Sequence, residues 1–431
     1  MVALDIIGFA GAGFLLFFIT RRAGSGSTFA HLFSLVWGPC ILAAQFLATS
    51  IETLSGETVA VLFAAWWALL AGGLLTISRQ PANAPREVAI GTRRAIGAVL
   101  LLFSLQAALT VYEMPTVNTQ QSTVQNVLVL RKLDKSHGWR KCPWWLEPFR
   151  NAYFVYLPLA VMLRRRRVLS RGTFFLVILA TCLLLLSHMT RAPLLACIAT
   201  LWSSWTLLNR PSALRAWGGL AGGLAAFCVV FIAIQIALQH LQAHQAEGTE
   251  LVEAYYGGSM RAYESIIDGS YPREPGLYSA DMLNYTLHKV GLIDSYPSLV
   301  RSYGNYNTNI YTFLDAFTLD GGIFGAIFGA ALIGAAGGWL FKKASRRHTP
   351  LMVACNALFA YSVAIAVANN EFIRINFLMT IILAAVVSRL VVKGRVSRPI
   401  LLLFTARNLG SSKPSLRSVP SMLSGRWPRF L

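Results

Sequence analysis

Charged residues are scarce in this sequence, and the usual motifs of soluble enzymes are missing. Only 13% of its 431 residues are Asp, Glu, Lys or Arg, whereas 55% are hydrophobic. A water-soluble domain carries about a quarter charged residues, so this composition excludes that class. The chain has no GxxxxGK[ST], HExxH or GxSxG motif and no glycine fingerprint for a dinucleotide after a strand. It also has no external DxD-like carboxylate pair, so we expect no use of ATP or of a nucleotide sugar.

Cysteine is also sparse. The six cysteines form neither a CxxC pair nor a cluster with histidine, and all except Cys142 fall in apolar stretches. A structural zinc site and a disulfide framework are therefore not expected. The first apolar run, 4–19, lacks a preceding basic segment and a small-residue cleavage site, which predicts a retained helix rather than a signal peptide.

Long apolar runs are what the sequence has instead, and the mean hydropathy is +0.55. These runs show no strand-like alternation, and an open sheet cannot satisfy its backbone in lipid, so they predict helices. Since a span needs about 20 apolar residues, we predict an all-α polytopic membrane bundle of about eleven transmembrane helices. The predicted spans are 3–20, 29–50, 57–78, 95–112, 149–163, 172–188, 191–208, 216–238, 316–341, 351–368 and 373–392.

The loops between these spans alternate in charge, with basic clusters such as 164–167 and 342–347 on one side. The positive-inside rule places that side in the cytoplasm, so the N-terminus is predicted outside and the C-terminus inside. The net charge of +20 is then an orientation signal, and no nucleic-acid partner is expected. We predict a transmembrane bundle over 1–392 and a basic cytoplasmic tail, 393–431, which is expected to be disordered.

Two long loops fall on the predicted external side. The loop 113–148 contains tryptophans beside basic residues, which predicts anchoring at the membrane interface or a surface that meets a lipid-linked anion. The loop 239–315 has more acidic than basic residues, and Gly and Pro divide it into short helices, so we predict a helical external subdomain lying on the membrane. The apolar faces that predict these helices are Met260, Tyr263 and Ile267 in the first and Leu283, Leu287 and Val290 in the second.

Four arginines on this side are candidate anion ligands: Arg191, Arg261, Arg301 and Arg374. An arginine costs about 2.5–3.5 kcal/mol at the centre of a membrane helix and less near the interface, so it needs a partner or a function. Its planar guanidinium suits bidentate binding of phosphate and diphosphate. The alternatives are snorkelling to the interface and a structural ion pair, such as Arg374 with Glu371.

The same side offers acid–base candidates, because a carboxylate near arginines can be tuned to accept a proton from a sugar hydroxyl. They are Glu264, Asp268, Asp281, His288, Asp315 and Asp320. For Asp315 and Asp320, which flank the start of the ninth span, the alternative is that a negative charge complements the N-terminus of that helix.

Three groups of residues carry a resemblance to a known family. They are the Ser187-x-x-x-Arg191 turn, the large external loop before the ninth span, and Asn309-Ile310-Tyr311-Thr312 followed by Asp320-Gly321-Gly322 and Gly325. In these features the chain resembles the bacterial Wzy-type oligosaccharide repeat-unit (O-antigen) polymerases, relatives of the O-antigen ligases. The resemblance implies a glycosyltransferase of the inner membrane, acting on its periplasmic side. Such an enzyme transfers a glycan from polyprenyl diphosphate to another lipid-linked repeat and builds a surface polysaccharide.

The resemblance also implies roles for residues. Arg191 would bind the diphosphate, with Arg261, Arg374 and Arg301 as further candidates. Asn309, Tyr311 and Thr312, with Asp320 closing the motif, would shape the substrate site. Asp315 or Glu264, ahead of His288, would activate the acceptor hydroxyl.

No cofactor is expected, because two or three arginines can neutralise the leaving diphosphate, although the spare carboxylates leave room for a divalent metal ion. The implied partners are the lipid-linked oligosaccharide donor and acceptor, the lipid bilayer and a chain-length regulator.

Two other functions stay open, a glycan ligase and a flippase of lipid-linked oligosaccharides. The ligase relatives tend to place a histidine where this chain has Asn307 and Asn309. A transporter favours internal repeats and polar residues at mid-membrane depth, and neither is clear in this sequence.

Overall fold

The computed structural model describes residues 2–26, 28–46, 54–78, 86–113, 146–186, 192–239, 258–271, 276–295, 297, 312–366 and 370–393. Within these ranges the chain is mostly helical. The α-helices are α1 (Val2–Ala23), α2 (Phe29–Phe46), α3 (Gly56–Thr76), α4 (Thr92–Glu113), α5 (Glu147–Arg150), α6 (Tyr153–Arg165), α7 (Arg171–Leu186), α8 (Ala192–Asn209), α9 (Ala213–Gln239), α10 (Gly258–Ile267), α11 (Asp281–Lys289), α12 (Asp315–Arg346), α13 (Pro350–Ala364) and α14 (Ile375–Val391). There are also two 3-10 turns, Tyr278–Ala280 and Glu371–Ile373, and two short strands, β1 (Arg86–Glu87) and β2 (Arg347–His348).

A helix lies at each predicted span, as expected for an all-α bundle, while the count of eleven spans and their orientation stay predictions. Among the described residues, α1, α3, α4 and α12 are long and apolar enough to cross a membrane, judged by length and composition. The helices α2, α7, α9, α13 and α14 are apolar but shorter in their described parts. The structure therefore gives a helical, membrane-embedded protein.

Large apolar side chains point away from the protein on several of these helices. Phe14, Phe175, Phe324 and Phe328 are each more than half exposed. Extended exposed apolar surface is unfavourable in water and favourable in lipid. The outer surface of the bundle is therefore suited to a bilayer.

Helices α3 and α12 approach each other closely, and glycines make this approach possible. A Cβ atom at Gly72 would clash with the backbone oxygen of Ala331, and one at Gly334 would clash with that of Leu69. Small residues at such contacts let two membrane helices pack backbone to backbone. The hydroxyl of Thr76 adds a hydrogen bond of 2.8 Å to the carbonyl of Ala335. This pair fixes α12, whose first residue is Asp315.

The two ends of the bundle differ in character. At one end, named here the Asp315 end, the first turns of α3, α12 and α14 lie with α10 and α11. At the other, named the His348 end, β1 pairs in parallel with β2 in the register Arg86↔Arg347 and Glu87↔His348, and Ile90 bridges Val392. Two basic loops that the sequence assigns to one side of the membrane thus meet at the His348 end.

The long loop 239–315 contains the two predicted short helices, α10 and α11. Met260 and Tyr263 on α10 are fully buried, as their spacing predicted. On the predicted face of α11, Leu283 is 58% exposed, and Val290, which follows the helix, is 60% exposed. Helical spacing shows that an apolar face exists but does not show what covers it, and the placement of this subdomain on the membrane stays a prediction. The predicted features in 114–145, the Ser187–Arg191 turn and the tail 394–431 lie outside the described residues.

Candidate functional site

The start of α12 contains two predicted site residues, Thr312 and Asp315, and both are fully buried at 0% exposure. The Thr312 hydroxyl donates a short hydrogen bond to Oδ1 of Asp315. It also accepts the backbone N–H of Leu314 at 3.2 Å. Thr312 thus organises the first turn of α12, where the helix dipole favours the Asp315 carboxylate. In this conformation Asp315 has a structural contact and no surface from which to reach a substrate hydroxyl.

Tyr263 joins α10 to the same turn. Its hydroxyl lies 2.8 Å from Oγ1 of Thr318, and Thr318 donates to the carbonyl of Leu314 at 2.9 Å. Burial raises the pKa of Tyr263; the Thr318 hydrogen bond lowers it, and the charge of Asp315 raises it further. The phenol therefore stays protonated, as a fixed donor or acceptor beside the Asp315 turn.

Glu264 follows Tyr263 on α10 and is partly exposed. Its Oε1 accepts the backbone N–H of Ser55 at 2.6 Å. Ser55 is the N-cap residue of α3, and its own side chain accepts the N–H of Thr58. Glu264 thus ties α10 to the start of α3, and it remains an acid–base candidate within reach of solvent.

Asp320 holds a distant piece of backbone. Its two carboxylate oxygens each accept one backbone N–H, from Tyr278 and from Ser279, both at 2.7 Å. These contacts place the carboxylate at the first turn of Tyr278–Ala280, so it anchors the segment that leads into α11. Asp320 also directly precedes the break in its own helix at Gly321 and Gly322, so the sequence alternative, a charge at the N-terminus of the ninth span, stays open.

The glycines after Asp320 break α12. Gly322 has φ +60° and ψ −152°, a conformation that residues with a Cβ rarely adopt. A Cβ at Gly325 would also clash with the backbone oxygen of Phe317. The Asp-Gly-Gly motif therefore separates a short helical segment, 315–320, from the long apolar part of α12.

Two hydrogen bonds, named here the Phe313 clamp, hold the start of α12 against the segment after α13. The N–H of Phe313 donates to the carbonyl of Ala366 at 2.8 Å, and Nδ2 of Asn370 donates to the carbonyl of Phe313 at 2.8 Å. Asn370 is 3% exposed, and its Oδ1 is buried without a hydrogen-bond partner among the described residues. Sequence reasoning did not select Asn370, because an asparagine in a polar turn carries no spacing signal.

Arg374 lies four residues after Asn370, which belongs to the Phe313 clamp. Its Nη1 lies 3.2 Å from Oε1 of Glu371, and its side chain is 45% exposed against 17% for Glu371. Burial raises the pKa of Glu371 and of Asp281, and the charge of Arg374 opposes the shift in both. Arg374 therefore has two carboxyl neighbours, one on the 3-10 turn and one on α11, and still presents much of its side chain to a ligand. The ion pair that the sequence offered as an alternative is confirmed.

His288 is exposed near the end of α11, where its Nδ1 lies 3.2 Å from the carbonyl of Ile293. It is about 10 Å along the helix axis from Asp281. The remaining predicted residues cannot be placed in the same way: Arg191, Arg301, Asn309 and Tyr311 lie outside the described residues, and Arg261 is described only as backbone of α10. The structure thus gathers Glu264, Thr312, Asp315, Asp320 and Arg374 at the Asp315 end, and their roles stay predictions.

Fold and site define a class: an all-α membrane-embedded bundle with acids, hydroxyls and an exposed arginine gathered at one end. Comparison with protein-family models, with curated proteins and with solved structures finds no match to this chain.

Proposed function

We propose that the chain crosses the bacterial inner membrane about eleven times, with the Asp315 end in the periplasm. The support is the distribution of arginines. Arg165, Arg166 and Arg210 lie at the His348 end together with the Arg86–Arg347 strand pair. A basic concentration at one end of a helical bundle is typical of the cytoplasmic side.

We further propose that the protein is an oligosaccharide polymerase that uses a polyprenyl-diphosphate-linked glycan as donor. An acceptor hydroxyl attacks the anomeric carbon of the donor glycan, and the bond from that carbon to the diphosphate oxygen breaks. The electron pair leaves with the polyprenyl diphosphate, and the hydroxyl proton passes to a basic side chain. The protein has to neutralise the leaving diphosphate, hold both glycans and accept that proton.

The observation that carries this proposal is the Phe313 clamp. It joins the residues that directly follow the Asn309-Ile310-Tyr311-Thr312 motif to the segment that carries Arg374. Thr312, the last residue of that motif, and Arg374, a candidate diphosphate ligand, thereby lie at the same end of the bundle. Arg374 would bind the diphosphate through its planar fork, with Arg191, Arg261 and Arg301 as further ligands.

The proton acceptor is proposed among the carboxylates of this end. Glu264 is accessible, and Asp281 is partly exposed, with a pKa that burial raises and the charge of Arg374 lowers. Asp315 can serve only if its contact with Thr312 opens. His288, at the distant end of α11, ranks below these acids.

Complementation of a polymerase-deficient strain tests the proposal, with the surface glycan ladder as readout. We expect Arg374→Ala to collapse the ladder toward a single repeat and Arg374→Lys to restore little of it. Loss of a charge-assisted bidentate contact is worth about 1.5–3 kcal/mol, which is a rate loss of about 10- to 150-fold.

Two control variants separate binding from folding. Glu371→Gln breaks the same ion pair but keeps the guanidinium, so its ladder should persist. Arg389→Ala removes an exposed arginine at the opposite end of α14 and should have no effect. A full ladder with Arg374→Ala would refute the diphosphate role of Arg374. If the strain without this protein accumulates no single repeat, the flippase function is favoured. If that strain makes polymer but does not attach it to the lipid core, the ligase function is favoured.

A further inference from the structure

A group of charged side chains at the His348 end takes no part in the proposed reaction. It comprises Glu87 on β1, Arg165 and Arg166 at the end of α6, Arg210 after α8, and His348 on β2, and is named here the His348 cluster. Nη2 of Arg165 lies 3.2 Å and that of Arg166 3.5 Å from the Glu87 carboxylate. Arg166 also donates to the carbonyl of Val88 at 2.7 Å. The cluster therefore brings together the ends of three separate helical segments.

The hydrogen bonds of His348 leave one polar atom without a partner. Nη1 of Arg165 lies 3.1 Å from Nδ1 of His348, and because a guanidinium only donates, Nδ1 must accept. The proton of the neutral ring is then on Nε2. That atom is buried and has no hydrogen-bond partner among the described residues, on a side chain that is 1% exposed. A buried N–H donor without an acceptor is unfavourable and indicates a missing acceptor.

Charge is also unbalanced in the cluster. Among the described residues, Glu87 supplies one carboxylate to the two guanidinium groups of Arg165 and Arg166. Burial lowers the pKa of His348 to about 4, and Arg165, Arg210 and Arg166 lower it as well, so the ring adds no charge at neutral pH. Arg210 donates to the carbonyl of Ser345 at 3.3 Å.

The cluster is open to an incoming group. The side chain of Arg165 is 30% exposed and that of Arg166 is 22% exposed. Both stand at the end of α6, at the His348 end of the bundle. The guanidinium fork matches the geometry of phosphate oxygens, and basic pockets between membrane helices bind anionic headgroups.

We propose that the His348 cluster is a binding site for a phosphate group, supplied by an anionic lipid headgroup or by free phosphate. The ligand supplies the negative charge that Glu87 alone does not provide. Its oxygens bridge Arg165 and Arg166 and reinforce the joint between α6, β1 and β2. This site is independent of the proposed polymerase activity, because it lies at the opposite end of the bundle.

The experiment uses the purified full-length chain in a neutral detergent, with unfolding followed by the intrinsic fluorescence of its 11 tryptophans. Phosphatidylglycerol and phosphatidylcholine are titrated in one arm, and inorganic phosphate against chloride at equal ionic strength in the other. A ligand that binds the native state raises the unfolding temperature with its concentration. Stabilisation by phosphatidylglycerol alone identifies a lipid headgroup, and stabilisation by inorganic phosphate identifies free phosphate.

Three variants decide whether the cluster is responsible. Arg166→Gln should weaken the anion-dependent stabilisation about tenfold in apparent affinity, whereas Arg389→Gln, an exposed arginine on α14, should leave it unchanged. Glu87→Gln should strengthen it, since the competing carboxylate is gone. A cluster with only a structural role would make Glu87→Gln less stable without tighter anion binding. That outcome, or no stabilisation by either phosphate source, would overturn the proposal.

Discussion

The contact between α3 and α12 leads to a sharp prediction for Gly334→Ala. A Cβ at this position would lie closer to the backbone oxygen of Leu69 than the 3.0 Å that real Cβ atoms keep. Because the obstacle is backbone, a side chain cannot move aside and the two helices must separate. Overpacking of this kind costs about 1–3 kcal/mol. Separating the helices also weakens the 2.8 Å hydrogen bond from the Thr76 hydroxyl to the carbonyl of Ala335, which stabilises the fold by about 1 kcal/mol. We expect a loss of about 2–4 kcal/mol in the free energy of unfolding.

Thermal unfolding in detergent, followed by tryptophan fluorescence, measures this loss. The matched control is Gly97→Ala on α4, where a Cβ would meet nothing within 4 Å. Alanine is the better helix former, so the control should be neutral or more stable by up to about 1 kcal/mol. Equal unfolding temperatures for the two variants would refute the backbone-to-backbone contact. Since α12 begins at Asp315, Gly334→Ala should also lower any activity that depends on the Asp315 end.

Two further predictions concern the carboxylates at that end. Asp320→Asn should weaken the anchoring of Tyr278 and Ser279 by about 2–3 kcal/mol, because the two backbone N–H groups each bind one carboxylate oxygen and an amide has only one oxygen. The readout is hydrogen exchange, which should become faster over 276–289 and stay the same in the rest of the chain. Unchanged exchange over 276–289 would argue against the contact. Burial raises the pKa of Glu371 from 4.5, so the native state binds this proton more tightly than the unfolded state. The free energy of unfolding should therefore fall as the pH rises from about 4.5 through the raised pKa. Unfolding temperatures measured across that range should fall less in Glu371→Gln than in the wild type, and identical pH profiles would show that Glu371 is not the cause.

The helices were predictable because their signal is local. A run of about 20 apolar residues identifies a span whatever it packs against, and the predicted segments all contain helices. The Glu371–Arg374 pair was predictable for the same reason, since residues three apart lie close together. The break in α12 was not predictable. In the sequence, Gly321 and Gly322 look like the other glycines of this glycine-rich helix, and only their backbone angles show that they form a kink.

The contacts that build the site are long-range, and the sequence does not encode them in its spacing. Asp320 was a candidate site residue, with a charge at a helix N-terminus as the alternative, and neither interpretation named its hydrogen-bond partners, Tyr278 and Ser279, some 40 positions earlier. Asn370 was not selected at all, although it binds the carbonyl of Phe313 across 57 positions. A pattern analysis can list polar residues on one side of a membrane, but it cannot assign partners to them.

Those partners change which residues are free to do chemistry. Both oxygens of Asp320 are occupied by backbone N–H groups, one oxygen of Glu264 is occupied by Ser55, and Asp315 is fully buried against Thr312. Carboxylates used as backbone acceptors contribute to folding, and removing them tests stability before it tests catalysis. Arg374 is less constrained, because its side chain is 45% exposed at the junction of α11 and α14, beside Asp281 and Glu371. If the Asp315 end binds a diphosphate, this junction is where its charge would be met, with the Thr312–Asp315 turn as the support beside it.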